Sequence, residues 1–97
     1  MALKINPNSA ECHFNVANAF MDKGSKKEAL PHFREVVKLD TTNVEALFEI
    51  AEIYNELGKA QKAKETYEKV LEIQKDHKKA QQAIDKLNEN KLIWLII

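Results

Sequence analysis

Few residues in this chain are equipped for chemistry. It has one cysteine, Cys12, and three histidines, His13, His32 and His77. On a helix the adjacent side chains of Cys12 and His13 diverge by about 100° and do not converge on one metal ion. His32 and His77 fall in other predicted helices, so neither a metal site nor a nucleophile–base pair is expected. The chain has no phosphate-cradling glycine loop, no H-E-x-x-H pair and no nucleophile elbow. What recurs at a chemical spacing is negative charge. Glu45, Glu49, Glu52 and Glu56 stand at i, i+4, i+7 and i+11, which places them on one helical face. Carboxylates without an apolar pocket to raise their pKa suit recognition of cations, or plain solvation of a helix face, rather than acid–base catalysis. The expectation is a chain that is not itself an enzyme, with no cofactor and no metal.

The elements that carry these residues follow from composition. Ninety-seven residues make at most one small domain. Fifteen Lys and Arg balance fifteen Asp and Glu, and Arg34 is the single arginine. A neutral chain so poor in guanidinium groups is not expected to bind nucleic acid. Apolar residues at 44% can build a core, while two Gly and two Pro are too few for a turn-rich β protein. The longest apolar run, residues 92–97, is far short of the ~20 residues that span a bilayer. One Cys excludes an internal disulfide framework and suits a reducing, cytoplasmic setting. No signal peptide is read at the start.

Sliding the sequence along itself by 34 residues pairs Glu11 with Glu45, Phe14 with Phe48, Ala17 with Ala51, Gly24 with Gly58, Ala29 with Ala63 and Val36 with Val70. Phe20/Tyr54 and Phe33/Tyr67 keep an aromatic in register. A period of this size marks stacked repeats. Within each unit, apolar residues at three- and four-residue steps form two stripes broken near Gly24 or Gly58, which predicts two helices in an antiparallel hairpin. Asn8 and Asn43 are the expected caps of the first helices, and Ser25 with Glu28 forms a capping-box sequence at the start of a second one. Pro31 falls inside that helix, where its missing N–H and its ring are expected to bend it.

These residues resemble the tetratricopeptide repeat. Its pattern of a large residue, a small one, an aromatic, a turn Gly, Ala and a second aromatic falls on His13, Ala17, Phe20, Gly24, Ala29 and Phe33. In the second copy it falls on Leu47, Ala51, Tyr54, Gly58, Ala63 and Tyr67. His13 and Leu47 stand where the family carries Trp, and Thr41 and Lys75 where it carries a closing Pro. The resemblance implies an all-α superhelix, a solenoid of stacked hairpins. Residues 1–9 would be the tail of a preceding repeat helix, 10–43 and 44–77 two units, and 78–91 a capping helix or the start of a third unit. Residues 92–97 form an apolar C-terminal tail.

The resemblance also implies a function, that of a scaffold or adaptor holding a peptide or helix of another protein against a concave surface lined by the first helices. The implied groove residues are Glu11, Phe14, Asn15 and Asn18, then Glu45, Phe48, Glu49 and Glu52, and finally Lys79 and Lys86. Their acidic bias points to a basic or amphipathic partner. Some family members clamp the C-terminal carboxylate of heat-shock chaperones with Lys, Arg and Asn, but Phe14, Glu45 and Glu49 stand at matching positions, so tight binding of such a tail is not expected. The alternative role is a regulatory or substrate-recognition segment of a larger enzyme or co-chaperone. Leu92, Trp94 and Leu95 in the tail either continue the last helix over the end of the array, mediate a homodimer, or mark a cut through a longer helix.

Overall fold

The structure is a computed structural model that describes residues 9–96 in backbone and residues 9–88 in side-chain environment. Five helices follow one another: α1 (Ala10–Asp22), α2 (Lys26–Leu39), α3 (Val44–Glu56), α4 (Ala60–Ile73) and α5 (Lys78–Ile96). No strand occurs among the described residues. Each helix packs on the next in the chain, α1 on α2, α2 on α3, α3 on α4 and α4 on α5. The fold is an all-α solenoid. The segment expected to be a preceding helix tail lies at residues 1–8, outside the described residues, apart from Ser9. The backbone of α5 runs on through Leu92, Trp94 and Leu95, whose side chains lie outside the described ones.

The chain reverses by the same device in both hairpins. The amide of Ser25 donates to the Phe20 carbonyl at 2.8 Å and that of Gly24 to Met21 at 3.0 Å. Thirty-four residues later, Lys59 donates to Tyr54 at 2.8 Å and Gly58 to Asn55 at 3.2 Å. This 6→1 and 5→2 pairing requires a left-handed residue, and Gly24 and Gly58 supply it at φ +78° and +81°.

Side-chain caps obey the 34-residue period more strictly than expected from the sequence. Ser9 accepts from the Cys12 amide at 3.0 Å, Asn43 from Ala46 at 3.0 Å, and the His77 Nδ1 from Ala80 at 3.1 Å. The expected cap at Asn8 is thus one residue out of register, and Ser9 holds that role. The expected capping box at Ser25 is not made either. Ser25 is still bound into the preceding turn, with ψ 66° rather than an extended value, and its hydroxyl makes no cap bond. Helix α2 continues through Pro31, which is exposed, as is Lys27, whose carbonyl loses its intrahelical donor.

Two apolar cores share α3. Ala17, Ala29, Phe33, Val36, Ala46, Ile50 and Ile53 close one between α1, α2 and α3. Leu47, Ala51, Ala63, Tyr67, Val70, Ala80 and Ile84 close the other between α3, α4 and α5. The four in-register alanines, 17, 29, 51 and 63, are fully buried, so a methyl is all that separates the crossing backbones. This stacking holds α1 and α3, the first helices of the two hairpins, and α5, which follows them, in place while α2 and α4 pack between.

Candidate functional site

Phe14 on α1 meets Phe33 on α2 edge to face, with ring centres 5.7 Å apart. Phe48 on α3 packs on Tyr67 of α4 at 5.8 Å and on His77, the cap of α5, at 5.0 Å. Both phenylalanines are half-buried. Each therefore has a packing reason inside its own chain and also offers one side to the surface.

Around them α1, α3 and α5 border clefts that share lining residues. A cleft of about 380 Å³ joins Phe14 and Asn18 of α1, Glu45, Phe48 and Glu49 of α3, and Lys79 of α5. A second, of about 490 Å³, lies between α3 and α5 over Tyr67 and is lined by Phe48, Glu52, Asn55, Lys79, Gln82 and Lys86 with Ala83 and Leu87. The two share Phe48 and Lys79. Glu11 lies at the near end, in a third cleft with Phe14 and Glu45. Of the groove residues expected from the sequence, Asn15 alone lines none of these clefts and is exposed on α1.

The walls differ in charge. On α3 the stripe is close enough to act on itself. Burial, and then the neighbouring Glu52, Glu45 and Glu56, raise the Glu49 carboxyl above the usual glutamate range, with Lys26 opposing. Glu56, at the end of the stripe, is ion-paired with Lys26 at the start of α2. Glu45, Glu49 and Glu52 have no ion-pair partner among the described residues, and neither do Lys79 and Lys86 on the opposite wall. At the floor Tyr67 is fully buried, and its hydroxyl has no hydrogen-bond partner among the described residues. Burial, with the Glu52 carboxylate beside it, pushes the phenol well above its ordinary pKa.

The histidines take positions that spacing did not reveal. His13 and His32, on different helices, bring their Nδ1 atoms to 3.4 Å, and Phe20 stacks on His32 at 5.6 Å. The ring centres of the pair are 5.7 Å apart, which is the nitrogen separation plus about one ring radius at each end. The two nitrogens thus face each other head-on, as one N–H donor and one lone-pair acceptor, instead of converging on a third point as metal ligands do. Among the described residues no group of three or more His, Cys, Asp or Glu side chains gathers at metal-binding distance. The cap at His77 was open to detection from Asn43 by the repeat period alone. The orphan Tyr67 hydroxyl had no signal in the sequence.

Comparison with known proteins bears on this arrangement. The family model described as tetratricopeptide repeat matches residues 20–87. The mouse (Mus musculus) protein O-mannosyl-transferase TMTC1 is 33% identical over 54 residues, which is 56% of this chain and 6% of that protein. The chain thus spans a small fraction of that relative. Among solved structures, MamA superposes with a TM-score of 0.82 at 27% identity, over 89% of this chain and 50% of its own. The second TPR domain of human RPAP3, solved with an HSP70 peptide, gives 0.76 at 24% identity over 86% and 69% of the two chains. The first TPR of Spaghetti (RPAP3), bound to the HSP90 peptide SRMEEVD, gives 0.79 at 22% over 90% and 71%. The RPAP3 likenesses establish a shared fold. Two in-register hairpins, twin glycine turns and a family match across most of the chain lead to one conclusion: this chain belongs to the tetratricopeptide-repeat family.

Proposed function

We propose that the chain is a protein-interaction module that holds a peptide or helix of another protein in the groove of α1, α3 and α5. The observation that carries this reading is the pair of clefts that meet at Phe48 and Lys79, one of them reaching Phe14, bordered by carboxylates without ion-pair partners among the described residues. Two structural neighbours with this fold hold chaperone-derived peptides, SGPTIEEVD and SRMEEVD. The chemistry of this groove differs from what an acidic tail requires. Glu45 and Glu49 border the cleft that Asn18 and Lys79 share, and they repel a carboxylate there. The guest is instead a basic (Lys- or Arg-bearing) or amphipathic segment, and neither nucleic acid nor a lipid surface fits a neutral chain with one arginine. No helix among the described residues is long and apolar enough to cross a membrane. The single cysteine fits a reducing, cytoplasmic setting.

The test is fluorescence polarisation with a panel of lysine-bearing amphipathic peptides set against SRMEEVD. Binding of panel members, weakened by salt and by Glu45→Gln with Glu49→Gln, is the expected result. Tighter binding of SRMEEVD, or no binding by any panel member, overturns the reading. The match to an O-mannosyl-transferase favours a second reading, in which the array is a recognition segment of a larger enzyme. An intact reading frame with a catalytic domain outside these residues distinguishes it. A homodimer through Leu92, Trp94 and Leu95 predicts that deleting residues 92–97 lowers the mass in solution, and an unchanged mass removes it.

A further inference from the structure

We propose that the groove is polarised in charge from one end to the other and takes a bipolar partner segment, basic at the end over α1 and acidic at the end over α5. This rests on the groove reading above and gives the guest a direction. Three clefts follow one another across the helices. The first joins the start of α1, the loop between α2 and α3, and the start of α3, and Glu11, Asp40 and Glu45 border it with no lysine or arginine among its lining residues. It meets the second at Phe14 and Glu45, where Glu49 and Lys79 also stand. The second meets the third at Phe48 and Lys79, and there Lys79 and Lys86 face a single carboxylate, Glu52. His77, in the second cleft, accepts the Ala80 amide through Nδ1, which leaves its ring neutral. Three carboxylates without a cation thus give way to two against one lysine and then to one against two, so the formal charge runs from −3 through −1 to +1.

Little inside the chain cancels this gradient. None of these carboxylates and lysines has an ion-pair partner among the described residues, whereas Glu56, farther along the α3 stripe, is matched by Lys26. Asp40 accepts from the Thr42 hydroxyl, a neutral donor that leaves its charge in place. The starts of α1 and α3 border the first cleft and bring about half a positive unit each, which leaves roughly two of its three negative charges. In the second cleft, burial and then the neighbouring glutamates already hold the Glu49 carboxyl above its usual range, so a cation brought there relieves repulsion. A uniformly basic guest gains at the first cleft and loses at α5, and a uniformly acidic one does the reverse. A guest with one end of each sign gains at both. The span sets its length. With helices about 10 Å across, the two ends lie about 20 Å apart, or about six residues of extended chain. The arginine and the first glutamate of SRMEEVD stand one residue apart, too close to serve both ends.

The test is fluorescence polarisation on the full chain at low salt, where charges at this separation still act. Three amphipathic peptides of one length are compared: a bipolar one with a lysine block and a glutamate block about six residues apart, a scrambled one of the same composition, and a uniformly basic one. The bipolar peptide should bind about tenfold more tightly than the scrambled one, as several exposed ion pairs together imply. Lys79→Glu with Lys86→Glu, both at exposed positions, should weaken the bipolar peptide about tenfold and strengthen the uniformly basic one. In nuclear magnetic resonance spectra of the isotope-labelled chain, a nitroxide on the lysine end should broaden the amides of Glu11 and Asn43, and one on the glutamate end those of Gln82 and Lys86. The same spectra show that the variant is folded. Equal binding of the bipolar and scrambled peptides, indifference to the lysine reversal, or the same amides broadened from both ends overturns the polarity. If the uniformly basic peptide binds as tightly as the bipolar one, the groove stands and the polarity falls. If the bipolar peptide binds in the expected direction and the uniformly basic one does not bind, the polarity stands and the basic guest falls. If no peptide binds, both readings fall.

Discussion

Phe48 sits where packing and recognition compete, and replacing it separates the two. Its ring touches Tyr67 and His77 and lines both main clefts. Truncating a fully buried phenylalanine to alanine costs about 3–5 kcal/mol. Phe48 is half-buried, so Phe48→Ala should cost about half of that, roughly 2 kcal/mol, including the loss of two aromatic contacts. In a domain of this size that lowers the melting temperature by roughly 10 °C. Phe48→Leu keeps most of the volume and should cost less than about 1.5 kcal/mol. Urea and thermal melts followed by far-ultraviolet circular dichroism measure both changes. A loss under about 0.5 kcal/mol for Phe48→Ala, the range of a free surface position, would refute the reasoning. The ring would then be carried for the guest alone. Because the alanine variant is weakened in its fold, the leucine variant is the one to use in binding experiments.

Three further outcomes follow from the same geometry. An added Cβ at Gly58 meets nothing within 4 Å, so the cost of Gly58→Ala comes from φ +81° alone, about 1 kcal/mol in a urea melt, and a stabilised variant would deny the left-handed turn. His77→Ala removes the cap of α5 and should cost about 1 kcal/mol, with faster amide exchange at Ala80 as its local signature. Unchanged exchange there would count against the cap. The raised Glu49 carboxyl makes a prediction in pH. Its ionised form is disfavoured in the fold, so its contribution to stability is greatest below the ordinary glutamate range and is lost as pH rises through the raised value. Glu49→Gln should therefore raise the urea midpoint at neutral pH and lose that advantage in acid, whereas a lowered midpoint at neutral pH reverses the sign and refutes the penalty that burial, and then the neighbouring glutamates, place on the Glu49 charge.

The sequence by itself determined the architecture, because the architecture is periodic. Matching alanines, aromatics and glycines 34 residues apart can be satisfied only by one packing used twice, and the glycines require the turn that follows each first helix. Helical spacing also made legible that Glu45, Glu49, Glu52 and Glu56 share one face, and Glu45, Glu49 and Glu52 line clefts in the structure. Caps were read less well. Asn8 satisfied the local preference for an amide before a helix, but the backbone register chose Ser9, in step with Asn43 and His77. Ser25 kept the right residue type and lost its cap bond to the preceding turn. Tertiary structure alone decided what each side chain meets across helices. It set His13 against His32, gave Phe14 and Phe48 aromatic partners of their own, and left the Tyr67 hydroxyl buried beside Glu52 without a hydrogen bond. The physical reason is that a repeat period specifies which positions are equivalent along the chain, whereas contact across a crossing depends on how two helices rotate and close on each other.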